Sequence, residues 1–165
     1  FKKNKDNEQL IFFKNFFYPL DRINNWNNLY GLNGFLQFQF VLPEQDFLKK
    51  FNYIKLFLHQ NNIFPYLAVL KKFGPANDNF LSFPLQGYTL ALDFKNTFNT
   101  RYLLSQLSDY IISNGGRFYL TKDSILTEQQ FKSSYLKWER FQFIREKYNL
   151  FQFQSLLSRR LGLNR

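Results

Sequence analysis

Between Gly34 and Pro43 apolar and polar positions alternate with period two. Leu36, Phe38, Phe40 and Leu42 fall on one side, and Phe35, Gln37, Gln39 and Val41 on the other. That period predicts a strand whose successive side chains point to opposite faces. It returns from Gly87 to Phe94, with Tyr88, Leu90, Leu92 and Phe94 on one parity and Thr89, Ala91 and Asp93 on the other. Helical spacing intervenes twice. Phe47, Phe51, Ile54 and Leu58 recur to about Gln60, after Pro43-Glu44-Gln45-Asp46, whose carboxylates suit the first turn of a helix. Leu103, Leu107 and Ile111 mark a helix from about Asn99 to Ser113, stopped at Asn114-Gly115-Gly116. Ile63 to Phe73 reads as a strand interrupted near Pro65, and Arg117 to Thr121 as a short strand ended by Lys122.

The order strand, helix, strand, strand, helix, strand predicts an α+β fold: a ferredoxin-like βαββαβ antiparallel sheet with both helices on one face. The apolar parity faces those helices, which leaves Gln37, Gln39, Thr89 and Ala91 on an open face. Residues 1–10 are polar and read as a linker or frayed start. Two apolar clusters follow, Leu10-Ile11-Phe12-Phe13 and Phe16-Phe17-Tyr18. Pro19-Leu20-Asp21 then opens a short helical segment carrying Ile23, Trp26 and Tyr30 and ended by Gly31. At the other end Thr127-Glu128-Gln129-Gln130 has the form of a capping box, introducing a helical tail over 126–165. Residues 11–165 read as one domain.

Composition narrows the chemistry. The 165 residues suit a single domain, and the net charge of +10 admits an anionic partner: nucleic acid, an acidic membrane surface or a phosphorylated ligand. The charge is dispersed; Lys2-Lys3, Lys49-Lys50, Lys71-Lys72 and Arg159-Arg160 are its densest points. With no cysteine there is no thiol nucleophile or thiolate metal site, and the single histidine, His59, leaves few metal ligands; no metal is expected. No apolar run reaches the length of a membrane span, and no signal peptide is visible. The 23 phenylalanines, with abundant asparagine and lysine, read partly as an AT-rich coding bias, which weakens any argument from aromatic content. Methionine is missing even from position 1, so the chain reads as a piece of something longer.

Three groups of residues carry candidate chemistry. Gln37 and Gln39 put two amides side by side, and an amide taken from water must find donors and acceptors. A solvated sheet face competes with a bound polar ligand there, although Phe35 and Val41 on the same parity argue against a fully wet surface. Lys122 is either an ordinary surface lysine or a cation beside developing negative charge. Lys71 and Lys72, ahead of Phe73-Gly74-Pro75, are exposed charges or an anion site completed by loop amides. His59 lies near a helix end and carries no catalytic role.

Several segments together resemble one family. They are Phe17-Tyr18-Pro19-Leu20-Asp21 with Trp26-Asn27 and Tyr30-Gly31, then Gly34 to Phe40, then Val69-Leu70-Lys71-Lys72-Phe73-Gly74. Leu81-Ser82-Phe83-Pro84 with Gly87-Tyr88, Gly115 to Tyr119 with Lys122-Asp123-Ser124, and Ser158-Arg159-Arg160-Leu161 continue the match in order. The pattern resembles the C-terminal, substrate-binding (cap) domain of decaprenylphosphoryl-ribose-oxidase-like enzymes, FAD-linked oxidoreductases of the vanillyl-alcohol-oxidase superfamily related to arabinono-lactone oxidases. The resemblance implies FAD held mostly by an N-terminal domain outside this chain, and hydride transfer from a sugar carbinol to the flavin. It assigns Lys122 as catalytic, Gln39, Tyr119, Thr121 and Lys122 to the cofactor, and Gln37, Lys71, Thr89 and Ala91 to the substrate. It further implies a partner reductase completing an epimerisation, a role in cell-wall biosynthesis, and a cytoplasmic location peripheral to the inner membrane.

Gln37-x-Gln39 favours a polyprenyl-phosphate sugar, because alditol and aldonolactone oxidases usually resemble Glu-x-Arg at this point; such oxidases remain an alternative. Thr89 and Ala91 depart from the asparagine and cysteine of the mycobacterial enzymes, which leaves the sugar open. An alternative of another class is a basic RNA-recognition-type module. Gln86 to Phe94 faintly echoes its third-strand motif, but strand parity turns Tyr88 and Phe94 inward and leaves no stacking platform.

Overall fold

The structure, a computed structural model, describes residues 10–18, 24–25, 28 and 30–164. Its centre is the antiparallel pair β1 (Phe35–Pro43) and β3 (Gly87–Lys95), in register from Phe35 opposite Lys95 to Pro43 opposite Gly87. β2 (Leu67–Phe73) pairs with the outer side of β3, and β4 (Arg117–Phe118) with the outer side of β1. The strand order is therefore β2-β3-β1-β4, all antiparallel. Gly87 is required where β3 meets β1, since a Cβ there would lie 2.0 Å from the Leu42 carbonyl oxygen.

The two crossover helices, α2 (Phe47–Gln60) and α3 (Phe98–Ser113), cover the apolar parity of the sheet. Ile54 and Leu58 of the first and Leu104, Leu107 and Ile111 of the second share one core with Phe38, Phe40, Leu90 and Leu92. The expected α+β arrangement, with both helices on one face, is what the chain forms. Thr97 caps α3 by accepting from the Thr100 amide, and Gly115 at φ +76° turns the chain out of it toward β4.

Local boundaries differ from the sequence reading for identifiable reasons. α2 starts after the carboxylates: Asp46 sits in the left-handed region and makes no side-chain cap, and Glu44 instead pairs with Lys72. β2 starts at Leu67, not Ile63, because Pro65 has no N–H; ladder bonding begins with the Tyr66 amide donating to the Asp93 carbonyl at 2.8 Å. β4 is only two residues long, and Lys122 closes a 3₁₀ turn (Leu120–Lys122) instead of a strand.

The tail is three short helices, α4 (Glu128–Ser134), α5 (Trp138–Lys147) and α6 (Leu156–Arg160), and the expected capping box at Thr127 and Gln130 opens the first. Leu126, Phe131, Tyr135, Leu161 and Leu163 join the same core as the sheet. Near the N-terminus α1 (Phe13–Phe17) is an exposed helical turn. The helical segment expected from Pro19-Leu20-Asp21 through Ile23 and Trp26 lies outside the described residues, as does most of the 1–10 linker. Among the described residues no helix is long and apolar enough to cross a membrane.

Candidate functional site

Strand parity brings five of the sequence-selected residues onto the sheet face opposite the helices. Gln39 lies opposite Ala91, and Ala91 opposite Val69; Lys71 lies opposite Thr89, and Gln37 opposite Asp93. This outer face is only partly open. The β2–β3 connection folds back so that Phe83 and Leu85 bury against Val41, with Phe73 and Tyr119 packed beside them. The covered end stops at Gln39, where a cavity of about 430 Å³ is lined by Gln39, Phe73, Phe83, Tyr119 and Thr121 among others.

Hydrogen-bond donors decide how the two glutamines are oriented. The Thr89 hydroxyl, 1% exposed, donates its one proton to the Phe40 carbonyl at 2.9 Å. Its oxygen can then only accept, so the group 3.2 Å away must be the Gln39 amide nitrogen. Asp93, 5% exposed, offers acceptors as a carboxylate, and it receives the Gln37 nitrogen at 3.0 Å and the Tyr30 hydroxyl at 3.3 Å. Both amides therefore commit nitrogen to the sheet and leave a carbonyl oxygen for whatever lies over the face. Tyr30 is tied further by stacking on Phe35 and an edge contact with Tyr66. Burial, and then the Asp93 charge, hold its phenol above the usual pKa.

The 3₁₀ turn carrying Thr121 and Lys122 is anchored at both ends. The Tyr119 amide donates to the Gln39 carbonyl at 2.9 Å, which ties the turn to the centre of β1. Asp123 then accepts from the Ile125 and Leu126 amides and pairs with Arg160 at 2.8 Å; its side chain is 3% exposed. Arg160 also donates to the Asp123 and Leu126 carbonyls. Buried Tyr135 donates to the Phe118 carbonyl, and burial pushes its phenol far above the ordinary value. Lys122 itself is half-buried and has no carboxylate partner among the described residues.

The adjacent lysines of β2 are divided by the pleat. Lys72, on the helix face, holds Glu44 at 2.6 Å and lies over the Tyr88 ring. That pairing keeps the Glu44 carboxyl below its usual range. Lys71, on the outer face, has no ion pair among the described residues. Sequence reading grouped Gln37, Gln39, Lys71, Thr89 and Ala91 but gave Asp93, Tyr30, Asp123 and Arg160 no part. Asp93 was detectable by its parity with Thr89; its link to Tyr30 spans 63 positions and has no local signal. Among the described residues no cluster of His, Asp and Glu could hold a metal.

No protein-family profile matches the chain. Among curated proteins it is 36% identical over 120 residues to decaprenylphosphoryl-beta-D-ribose oxidase of Mycolicibacterium smegmatis, an alignment covering 73% of this chain and 26% of that protein. It is also 32% identical over 98 residues to an uncharacterised protein in the mprA 5′ region of Streptomyces coelicolor, covering 58% of this chain and 27% of that one. The chain is related to the mycolicibacterial oxidase over that stretch, and it spans about a quarter of the length of the curated relatives it matches.

Proposed function

We propose that this chain is the substrate-facing domain of a flavin-dependent oxidoreductase that oxidises a sugar hydroxyl, the sugar being carried on a polyprenyl phosphate. The observation that carries the reading is the pair of amides at Gln37 and Gln39, whose nitrogens are spent on Asp93 and Thr89, beside the anchored turn that bears Lys122, in a chain related to an oxidase of such a substrate. A planar ring system suits this part of the face. Ala91 keeps the wall low opposite Gln39, and the cavity edge offers Tyr119 and Thr121. Gln39, Tyr119, Thr121 and Lys122 would hold FAD against the sheet. When bound, the flavin supplies the two-electron acceptor for the oxidation.

The chain's own residues bind and orient the substrate. The Gln37 carbonyl oxygen accepts a hydrogen bond from a sugar hydroxyl and helps fix which carbon faces the ring. Lys122, which has no carboxylate partner among the described residues, would stabilise negative charge building on the substrate oxygen as the hydroxyl proton passes to solvent water. Lys71 meets the phosphate as a point charge. Thr89 acts through Gln39, because its hydroxyl is spent on the Phe40 carbonyl. The ketone product would then be consumed by a reductase if the pair performs an epimerisation. Amides and small side chains occupy the central outer positions of β1 and β3, where base stacking would need rings, so the nucleic-acid alternative has no structural support.

The test has two stages. Expressed with any sequence its gene encodes ahead of Phe1, the protein should purify with a flavin spectrum that a polyprenyl-phosphate sugar bleaches under anaerobic conditions. A colourless full-length protein that binds an oligonucleotide with strong salt dependence would overturn the reading. In the flavin-containing protein, Lys122→Ala should slow flavin reduction by two or more orders of magnitude with the fold intact. Undiminished turnover removes Lys122 from the mechanism.

A further inference from the structure

The helix face of the sheet carries a second feature that the flavin reading does not use. Between α2 and the edge strand β2 lies an apolar groove of about 560 Å³, floored by Leu90 and Leu92 and walled by Phe51, Leu58 and Ala68. Its rim is unusually apolar for a surface: Leu56 is 56% exposed, Phe64 60% and Leu70 50%. Exposed apolar area of this extent marks a surface that meets something other than water. Exposed Leu48 extends the stripe along α2, one turn before Phe51 and two before Lys55.

Charge indicates what it meets. α2 and β2 hold no Asp or Glu, and α2 carries Lys49, Lys50 and Lys55; of the β2 lysines, Lys72 is paired with Glu44 and Lys71 lies on the opposite face. Lys55 and His59 line the groove, and Lys55 has no carboxylate partner among the described residues. A helix without acidic groups, with lysines flanking exposed leucines and an aromatic beside them, matches the chemistry of an anionic lipid leaflet: headgroups for the lysines, acyl chains for the leucines and the groove. A protein partner would need an acidic and apolar surface together, whereas a lipid leaflet supplies both in one layer.

We propose that the α2–β2 edge seats this domain on an anionic membrane, with Leu56, Phe64 and Leu70 in the acyl boundary and Lys55 and His59 at the headgroups. The outer face, on the other side of the sheet, stays free for its own ligand. This surface is independent of the flavin reading, so its failure leaves that reading standing.

The experiment is sedimentation of the chain with vesicles of phosphatidylcholine alone or with a third of phosphatidylglycerol. Binding should require the anionic lipid and weaken with salt. Lys55→Ala should reduce partitioning about fivefold, and Leu56→Asp should abolish it. Leu136→Asp, at a still more exposed leucine elsewhere on the surface, should leave it unchanged. Circular dichroism of each variant checks the fold. Binding that persists in Leu56→Asp, or that is lost in Phe16→Asp instead, overturns the proposal. So does self-association by light scattering that Leu56→Asp removes without any lipid binding.

Discussion

The two faces of one sheet are built from the same strands and have opposite economies. On the helix face β1 contributes Leu36, Phe38, Phe40 and Leu42, none more than 4% exposed, and their worth lies in area removed from water. On the outer face the intervening residues are Gln37, Gln39 and Val41. Only Val41 there behaves like core, because the β2–β3 connection covers it. The glutamines are held by directional bonds to Thr89 and Asp93 and gain little from burial. A face held by directional bonds keeps atoms in fixed orientations with lone pairs to spare, which an apolar face cannot do. The comparison therefore separates residues that hold the fold from residues that present it.

The largest expected effect tests the apolar side. Phe40→Ala should cost about 3–5 kcal/mol, because Phe40 is 1% exposed and packs against Phe38 and Phe118. Its neighbour substituted as Gln39→Ala should cost about 1 kcal/mol or less. Urea unfolding of both measures the contrast directly, and equal losses would erase the distinction between the faces. Next is the buried carboxylate beneath the outer face. Asp93→Ala removes the carboxylate to which the Gln37 amide and the Tyr30 hydroxyl donate, at roughly 1–3 kcal/mol. Asp93→Asn should be milder in stability yet free the Gln37 amide to flip. Side-chain amide NMR signals of Gln37 should broaden in the asparagine variant and stay sharp in the parent.

A smaller effect distinguishes the covered end of the sheet by pH. Burial raises the Tyr135 phenol above its ordinary value of 10.0, with Asp123 and Tyr119 adding to the rise and Arg117 opposing it. A group whose folded pKa is raised gives stability that is complete below the unfolded value and is lost as pH climbs toward the folded one. Stability should thus fall above about pH 10, and Tyr135→Phe should flatten that decline. The same substitution removes the bond to the Phe118 carbonyl, costing about 0.5–1.5 kcal/mol at neutral pH. An alkaline slope identical in the two proteins would assign the decline to other groups.

What was legible in the sequence divides along the same line. β1, β3 and α3 announced themselves because one buried face imposes a period on the residues that form it, and period is local. The grouping of Gln37, Gln39, Thr89 and Ala91 followed from parity alone. The cover over Val41 did not, since Phe83 and Leu85 lie in an irregular connection whose path is set by distant packing. The start of α2 was misread because Asp46 adopts a left-handed backbone and its carboxylate makes no cap. The 3₁₀ turn at Lys122 depends on Asp123 meeting Arg160, 37 positions away, and nothing near Lys122 signals it.

The finest test of the two-faced sheet uses its neighbouring lysines. Lys72 and Lys71 are adjacent in sequence, alike in chemistry and exposed, so composition predicts the same behaviour for both. The pleat sends only Lys72 toward Glu44. Its hydrogen bond, and then its charge, lower the Glu44 carboxyl below the ordinary 4.5. A depressed carboxyl gives stability that is present above the unfolded pKa and fades as pH falls through the folded one. Because the pair is exposed, the gain in stability should be too small to see in unfolding, but the titration itself is measurable. Carboxyl carbon NMR should show Glu44 returning toward 4.5 in Lys72→Ala and unmoved in Lys71→Ala. If both variants shifted it equally, the lysines would be acting through diffuse charge instead of from opposite faces.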